Sequence, residues 1–276
     1  MKAALLQLNA SDDPAANLLQ TTGMIADAAG QGAGFVLTPE VTNCVSQDRA
    51  HQTRVLQHED DDMTLAGLRD AAVRHGIWLS IGSLALKTGD PDGRFANRSF
   101  LIDPAGQIVA RYDKIHMFDV TVSETESYRE SVGYRPGEHA VVADTPFAKT
   151  GLSICYDVRF AYLYRALAQA GAEVLLVPSA FSPVTGAAHW EPLLRARAIE
   201  TGSYVLAAAQ TGTHKAHAGK PRQTYGHSMA ISPWGDVLAD LGPEPGIALV
   251  DLDPASVAQS RKRIAALSHD RPFEGP

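Results

Sequence analysis

Residues 151–177 read GLSICYDVRFAYLYRALAQAGAEVLLV. An apolar strand, Leu152–Ile154, ends at Cys155, with Tyr156, Asp157 and Arg159 directly after it. A helical segment follows over Tyr162–Ala170, closed by Gly171, and then a second apolar strand over Val174–Val177. A strand apolar on both faces needs cover on both, so this order points to a sheet flanked by helices. The same alternation runs outward in both directions. Toward the N-terminus, Ala3–Leu8, Phe35–Leu37 and Ile77–Ile81 read as strands, separated by helices around Ala15–Ala29 and over Met63–His75. Phe95–Ile102 and Gln107–Tyr112 flank Asp103-Pro-Ala-Gly106 and read as a hairpin. Val141–Val142 and Leu152–Ile154 bracket a further turn. Toward the C-terminus come a helix over His189–Glu200 and strands over Tyr204–Ala209, Gly226–Ser232, Val237–Asp240 and Ile247–Leu252. Pro233-Trp-Gly235 makes a second hairpin turn, and Pro254 opens a last helix through Arg263. The expectation is an α/β fold with two mixed sheets. No repeat, low-complexity tract or linker divides the chain, so residues 1–276 read as one domain.

Composition narrows the function classes. The chain has 45% apolar and 20% charged residues, as an ordinary soluble globular protein does. Its net charge of −7 argues against a nucleic-acid or anionic-membrane partner. The apolar start of MKAALLQLNASDDP is too short for a signal-peptide core or a membrane span and reads as a first strand. Two cysteines without a secretion signal suggest a reducing cytoplasm rather than a disulfide framework.

Three local patterns are set aside. Gly30-Gln-Gly32-Ala-Gly34 follows a helix and precedes a strand, the reverse of a dinucleotide-binding turn. Gly226-His-Ser228-Met-Ala230 resembles a nucleophile elbow, but it continues into a strand and hairpin where a helix is required. His214 and His217 lie in the polar Gly212–Gly219 loop, which reads as solvated; no metal and no cofactor are expected.

A fourth pattern is a convergence. Glu40 follows the strand in GFVLTPE, Lys114 ends IVARYDK and Cys155 ends LSIC. In open α/β sheets ligands collect beyond the carboxyl ends of strands. Lys114 and the start of the following helix would favour the Cys155 thiolate. Partial desolvation would raise the Glu40 pKa and suit it to general-base work. Lys114 and the Tyr156 backbone N–H could face an oxyanion. Taken alone, these residues leave both readings open: a nucleophile, or a small core cysteine between solvated strand-end charges. His116, two residues after Lys114, reads as a supporting or structural histidine, and Cys44 as a thiol beside the site.

At these residues the chain resembles the nitrilase, or carbon–nitrogen hydrolase, superfamily, whose Glu-Lys-Cys triad matches Pro39-Glu40, Tyr112-Asp-Lys114-Ile-His116 and Gly151-Leu-Ser-Ile-Cys155-Tyr-Asp. The resemblance is strongest to the Nit branch, the deaminated-glutathione amidases. It runs through PSAFSPVTGAAHWEPLLRARAIETGSYVLAAAQTGTH (178–214), YGHSM (225–229) and SPWG (232–235). It implies an α-β-β-α sandwich, a homodimer built through helical faces, and cysteine-dependent hydrolysis of a small carboxylated amide through a thioester. The substrate it implies is deaminated glutathione, cleaved to 2-oxoglutarate and Cys-Gly. Omega-amidase action on 2-oxoglutaramate, carbamoylase or nitrilase activity, and a binding module with a retained site are the alternatives. It also implies a second glutamate, matched by Glu130 in Tyr128-Arg-Glu130-Ser131, with Glu124 and Glu126 as neighbours in the loop. Ala161 stands where relatives often carry proline, so the helix start is less preorganised.

Of the remaining residues, Phe181 and Thr185 follow another strand end and are candidates for the pocket wall. Asp157 and Arg159 read as an ion pair fixing the helix start. Trp190, Arg195 and Arg197 read as packing or dimer residues. The Arg49–Asp62 segment shows no motif and is a candidate for substrate selection.

Overall fold

The computed structural model describes residues 1–122, 124, 126–217 and 219–275. Ala218, within the Gly212–Gly219 loop, lies outside them. The N-terminal part comprises β1 (Lys2–Gln7), α1 (Pro14–Gly30), β2 (Phe35–Leu37), α2 (Arg49–Val55), α3 (Met63–His75), β3 (Trp78–Lys87), β4 (Phe95–Ile102) and β5 (Ile108–Asp113). A small hairpin, β6 (Asp119–Thr121) and β7 (Ser127–Arg129), leads into a single turn, α4 (Glu130–Gly133). The chain continues with β8 (Val141–Asp144), β9 (Lys149–Leu152), α5 (Ala161–Gln169), β10 (Val174–Leu176), α6 (Pro183–Thr201) and β11 (Tyr204–Ala207). It closes with β12 (Thr211–Thr213), β13 (Gln223–Tyr225), β14 (Met229–Ile231), β15 (Val237–Asp240), β16 (Gly246–Asp251) and α7 (Pro254–Arg263).

Among the described residues, two six-stranded sheets form, ordered β16-β1-β2-β3-β4-β5 and β15-β14-β11-β10-β9-β8. Each has a parallel centre, β1·β2·β3 in one and β9·β10·β11 in the other, with antiparallel strands on both sides. Strand alternation decides the layers. Ala3, Leu5, Phe35 and Leu37 point inward, into one core with Leu152, Leu176 and Leu206 of the second sheet. Ala4, Leu6 and Val36 point outward, against Ile25 and Ala28 of α1 and Leu65 and Leu68 of α3. On the far side, Leu163 and Leu167 of α5 and Trp190 and Leu194 of α6 cover the second sheet. The layers are therefore α-β-β-α, as the resemblance implied.

The helix ends follow capping chemistry. Asp13 accepts from the N–H groups of Ala15 and Ala16 before α1, and Asp62 accepts from Leu65 N before α3, each worth about 1 kcal/mol. Gly76 closes α3 with a φ of 63°. One expectation needs correction. Helix α6 starts at Pro183, well before His189, because proline suits the first helical position. Within the Arg49–Asp62 segment, Asp48 caps the two-turn α2, and a short 3₁₀ turn covers Glu59–Asp61.

Candidate active site

Strand β5 is antiparallel to β4 and β4 to β3, so β2 and β5 leave their sheet at the same end. There Lys114 Nζ donates to Glu40 Oε1 at 2.8 Å and to Glu130 Oε1 and Oε2 at 2.9 Å each. Glu40 also accepts from Asn97 Nδ2 and from the Ala180 N–H, both at 2.8 Å. Cys155 sits against this cluster at the start of a 3₁₀ turn, Cys155–Arg159, and its N–H donates to Pro178 O at 2.9 Å. Its φ of 49° puts a non-glycine residue in the left-handed region, a strained backbone that the surrounding contacts hold in place. Glu40, Lys114 and Cys155 are all buried, at 3%, 2% and 6% exposure.

The electrostatics differ from the sequence expectation in two respects. Burial alone would push the Glu40 carboxyl up, but Lys114 and Arg222 outweigh it and hold the pKa below its ordinary 4.5. Glu40 is thus an ionised base at neutral pH. Burial and the Glu40 charge raise the Cys155 thiol well above its ordinary 9.0, against the opposing pull of Lys114. The resting cysteine is therefore a neutral thiol beside an anionic acceptor. Burial would lower Lys114, yet Glu130 and Glu40 carry it well above 10.5, and it stays a cation. A thiol in this setting needs its proton taken as it attacks, and Glu40 is placed to take it.

Two glycines let the backbone hold these side chains. A Cβ on Gly82 would lie 2.0 Å from Thr38 O and 2.5 Å from Pro39 O, the stretch that leads into Glu40. A Cβ on Gly137 would lie 2.2 Å from Asp113 O, and the Gly137 N–H donates to Lys114 O at 2.7 Å.

Asp157 corrects another expectation, because it does not pair with Arg159 among the described residues. It is fully buried and accepts four hydrogen bonds: from Ile154 N at 2.8 Å, Tyr112 OH at 2.6 Å, His116 N at 3.0 Å and His116 Nδ1 at 2.7 Å. It thus ties residues 112 and 116, on either side of Lys114, to the turn that carries Cys155. His116 is structural as expected, stacked on Phe160 with ring centroids 3.5 Å apart. Arg159 lies over the Tyr156 and Phe181 rings instead. Asp157→Asn is expected to cost about 2–4 kcal/mol, because its NH₂ would face the donors Ile154 N and Tyr112 OH in one orientation and His116 N in the other. Urea unfolding of the variant measures this, and a loss below 0.5 kcal/mol would remove the clamp assignment.

The site opens into a cavity of about 390 Å³. Phe181, Tyr156 and Cys44 line it. Thr185 is not among the lining residues; its hydroxyl is buried in the first turn of α6 and has no hydrogen-bond partner among the described residues. Glu124 is exposed, while Glu126 accepts from Tyr128 OH and Ser182 Oγ. Asn97, Arg222 and Tyr134 also line the cavity, and the sequence reading missed all three; Arg49, which lines it too, opens the segment read as a candidate for substrate selection.

The remaining candidates fall into structural places. Ser228 Oγ accepts from Ala209 N in the core. His214 is buried rather than solvated, bonded to Ala10 O and Thr224 Oγ1, and burial lowers its pKa to about 4. Trp190 and Arg197 are buried, and Arg197 Nε donates to Val158 O.

Comparison with known proteins agrees with this geometry. The model of the carbon-nitrogen hydrolase family matches residues 2–262. A deaminated glutathione amidase of Yersinia enterocolitica is 40% identical over 270 residues, covering 97% of this chain and 92% of its own. The crystal structure of the C. elegans NitFhit protein superposes with a TM-score of 0.88 at 36% identity; the match spans 98% of this chain and 65% of that one. A mutant of the amidase from Nesterenkonia sp. AN1, with acrylamide added at its active site cysteine, superposes with a TM-score of 0.77 at 29% identity, covering 96% of this chain and 98% of its own. The chain belongs to the carbon–nitrogen hydrolase family, within the Nit branch of the nitrilase superfamily, and is a hydrolase of carbon–nitrogen bonds other than peptide bonds.

Proposed function

We propose that the chain hydrolyses the amide of deaminated glutathione, releasing 2-oxoglutarate and Cys-Gly, with Cys155 as nucleophile and Glu40 as general base. The neutral Cys155 thiol held against an ionised Glu40 carries the mechanistic part. The function named for full-length relatives supports the substrate.

As Sγ attacks the amide carbon, its proton passes to Glu40 and the carbonyl electrons move onto oxygen. Lys114 and the Tyr156 N–H face that oxyanion, and Glu130 holds Lys114 in place. The carbonyl re-forms, the C–N bond breaks, and the amine leaves with the Glu40 proton. The acyl group stays on Cys155 as a thioester. Water then gives a proton to Glu40 and its oxygen to the acyl carbon. The C–S bond breaks, the sulfur takes the proton back, and the acid departs. Lys114 keeps its proton throughout.

The reading extends to the whole chain as a single carbon–nitrogen hydrolase unit over residues 1–276. Phe181 forms part of the substrate wall. Two unpaired, buried cysteines suit a reducing cytoplasm. Exposed Tyr162, Val184 and Ile199 on α5 and α6 suit a homodimer through those helices, which sedimentation would test.

A side-by-side assay tests the function, with deaminated glutathione, 2-oxoglutaramate, an N-carbamoyl amino acid and an aliphatic nitrile at equal concentration. The highest kcat/KM is expected for deaminated glutathione, read as 2-oxoglutarate release. Turnover of another of these compounds with none of deaminated glutathione would overturn the substrate assignment.

A further inference from the structure

Asn97, buried on β4, touches three of the four residues that the proposed reaction uses. The β4·β5 register pairs Arg98 with Asp113. One step along, Asn97 stands opposite Lys114, whose backbone N–H donates to Asn97 O at 3.0 Å. Opposed residues of two paired strands share one face of the sheet, so the Asn97 amide reaches the same carboxylates as the Lys114 ammonium. Its Nδ2 donates to Glu40 Oε1 at 2.8 Å and to Glu130 Oε1 at 3.3 Å.

Charge fixes the orientation of that amide. Turned over, it would set Oδ1 against the oxygens of two carboxylates. As it stands, Oδ1 is buried and has no hydrogen-bond partner among the described residues. A buried carbonyl left in this way costs stability. The cost falls at a side chain whose two donors both serve the glutamates.

The glutamates need such donors. Glu40 and Glu130 share the single ammonium of Lys114. The Cys155 thiol and the Arg222 guanidinium also face Glu40, and Tyr134 faces Glu130. Two carboxylates held together repel, and a proton on one of them relieves the repulsion. A protonated Glu40 cannot receive the proton of the Cys155 thiol. A neutral amide stabilises the ionised carboxylate without itself holding or releasing a proton at neutral pH.

We infer that Asn97 is a positioning residue of this reaction: its amide spaces Glu40 and Glu130 about Lys114 and keeps Glu40 free of a proton until Cys155 supplies one. The inference rests on Glu40 as the base, as proposed above, but on no particular substrate.

The test replaces Asn97 by leucine, which keeps the volume and removes the donors, and by aspartate, which keeps the shape and adds a third acid. Thermal unfolding confirms folding, and Asn97→Ser, too short to reach both glutamates, replaces a variant that does not fold. Activity is read as kcat/KM against pH, on whichever of the four compounds above is turned over fastest. The acid limb of that profile reports a proton on the base of the free enzyme. Asn97→Leu is expected to move the limb up by about 1 pH unit, as the loss of a hydrogen bond to a charged group does, and Asn97→Asp further. The plateau above the limb is expected to fall by about 10–100-fold as Glu40 loses its fixed place.

Infrared titration gives a readout independent of turnover. The carboxylic acid band of Glu40 should appear at higher pH in Cys155→Ala/Asn97→Leu than in Cys155→Ala, and adding Glu40→Gln should remove it. A lower plateau with both the limb and the band unmoved would make Asn97 a structural residue only and overturn the inference. A band that persists without Glu40 would overturn it as well. If the band moves up while the acid limb stays in place, the hold of Asn97 on Glu40 is supported and only the base reading fails.

Discussion

Cys155→Ala is expected to lower kcat by about 10⁵-fold or more while the protein stays folded. The change removes the only thiol facing Glu40 and Lys114, so no thioester can form. Cys44 cannot replace it, although it lines the same cavity. Burial and the charges of Asp12 and Asp13 push its thiol up to about 12, and its Sγ points to Asp12 O at 3.7 Å. The fold should tolerate the change, because alanine meets the left-handed φ at position 155 with the same Cβ as cysteine. The buried sulfur leaves a gap of roughly methyl size, worth about 1 kcal/mol. Product release and thermal unfolding on one preparation check both halves. A folded variant retaining more than 1% of wild-type turnover would take the nucleophile role away from Cys155.

The residues of this reaction centre were legible to different degrees, for physical reasons. Local signals were readable where the chain decides its own structure. Asp13-Pro14, Asp62 with Gly76, and Asp253-Pro254 mark helix ends by capping and fixed φ, and those helices lie where the sequence put them. Strand-end placement brought Glu40, Lys114 and Cys155 forward as candidates, since a strand exit fixes where the next side chains go, and the family resemblance joined them into a triad. Signals that depend on distant partners were hidden. The two-turn α2 is too short to form on propensity and relies on its Asp48 cap and the seat of Arg49 over Phe95. Asp157 looked like the partner of a nearby arginine, but the tertiary fold brings Tyr112 and His116 to it instead. The direction of the Glu40 shift was misread for the same reason. Burial was foreseeable from the strand end, whereas the direct contact with Lys114, the larger opposing charge, and the added charge of Arg222 from a loop far along the chain depend on the tertiary fold.

Glu40→Gln should separate the two things that Glu40 does to Cys155. As a base it accepts the thiol proton, so its loss should lower kcat by about 10³-fold. As an anion it also holds the thiol protonated, second only to burial, against the pull of Lys114. Removing that charge favours the thiolate, so the Cys155 pKa falls and more of the sulfur is ionised at neutral pH. The expected result is opposite movement of two rates. Amide turnover collapses, while alkylation of Cys155 by iodoacetamide at pH 7.5 becomes faster and the midpoint of its pH profile moves down. Cys44, whose surroundings are unchanged, provides the internal reference by mass spectrometry. Some loss of stability accompanies the change. Glu40 accepts from Lys114 and Asn97 on one oxygen and from Ala180 N on the other, and a glutamine must set its NH₂ against one of these donors, at about 1–3 kcal/mol. Distortion alone would slow both rates, and a purely electrostatic Glu40 would raise thiol reactivity without abolishing turnover. Only a residue that both suppresses the thiolate and accepts its proton makes the two rates diverge. A variant in which both fall together, or in which turnover falls less than tenfold, would remove Glu40 as the base.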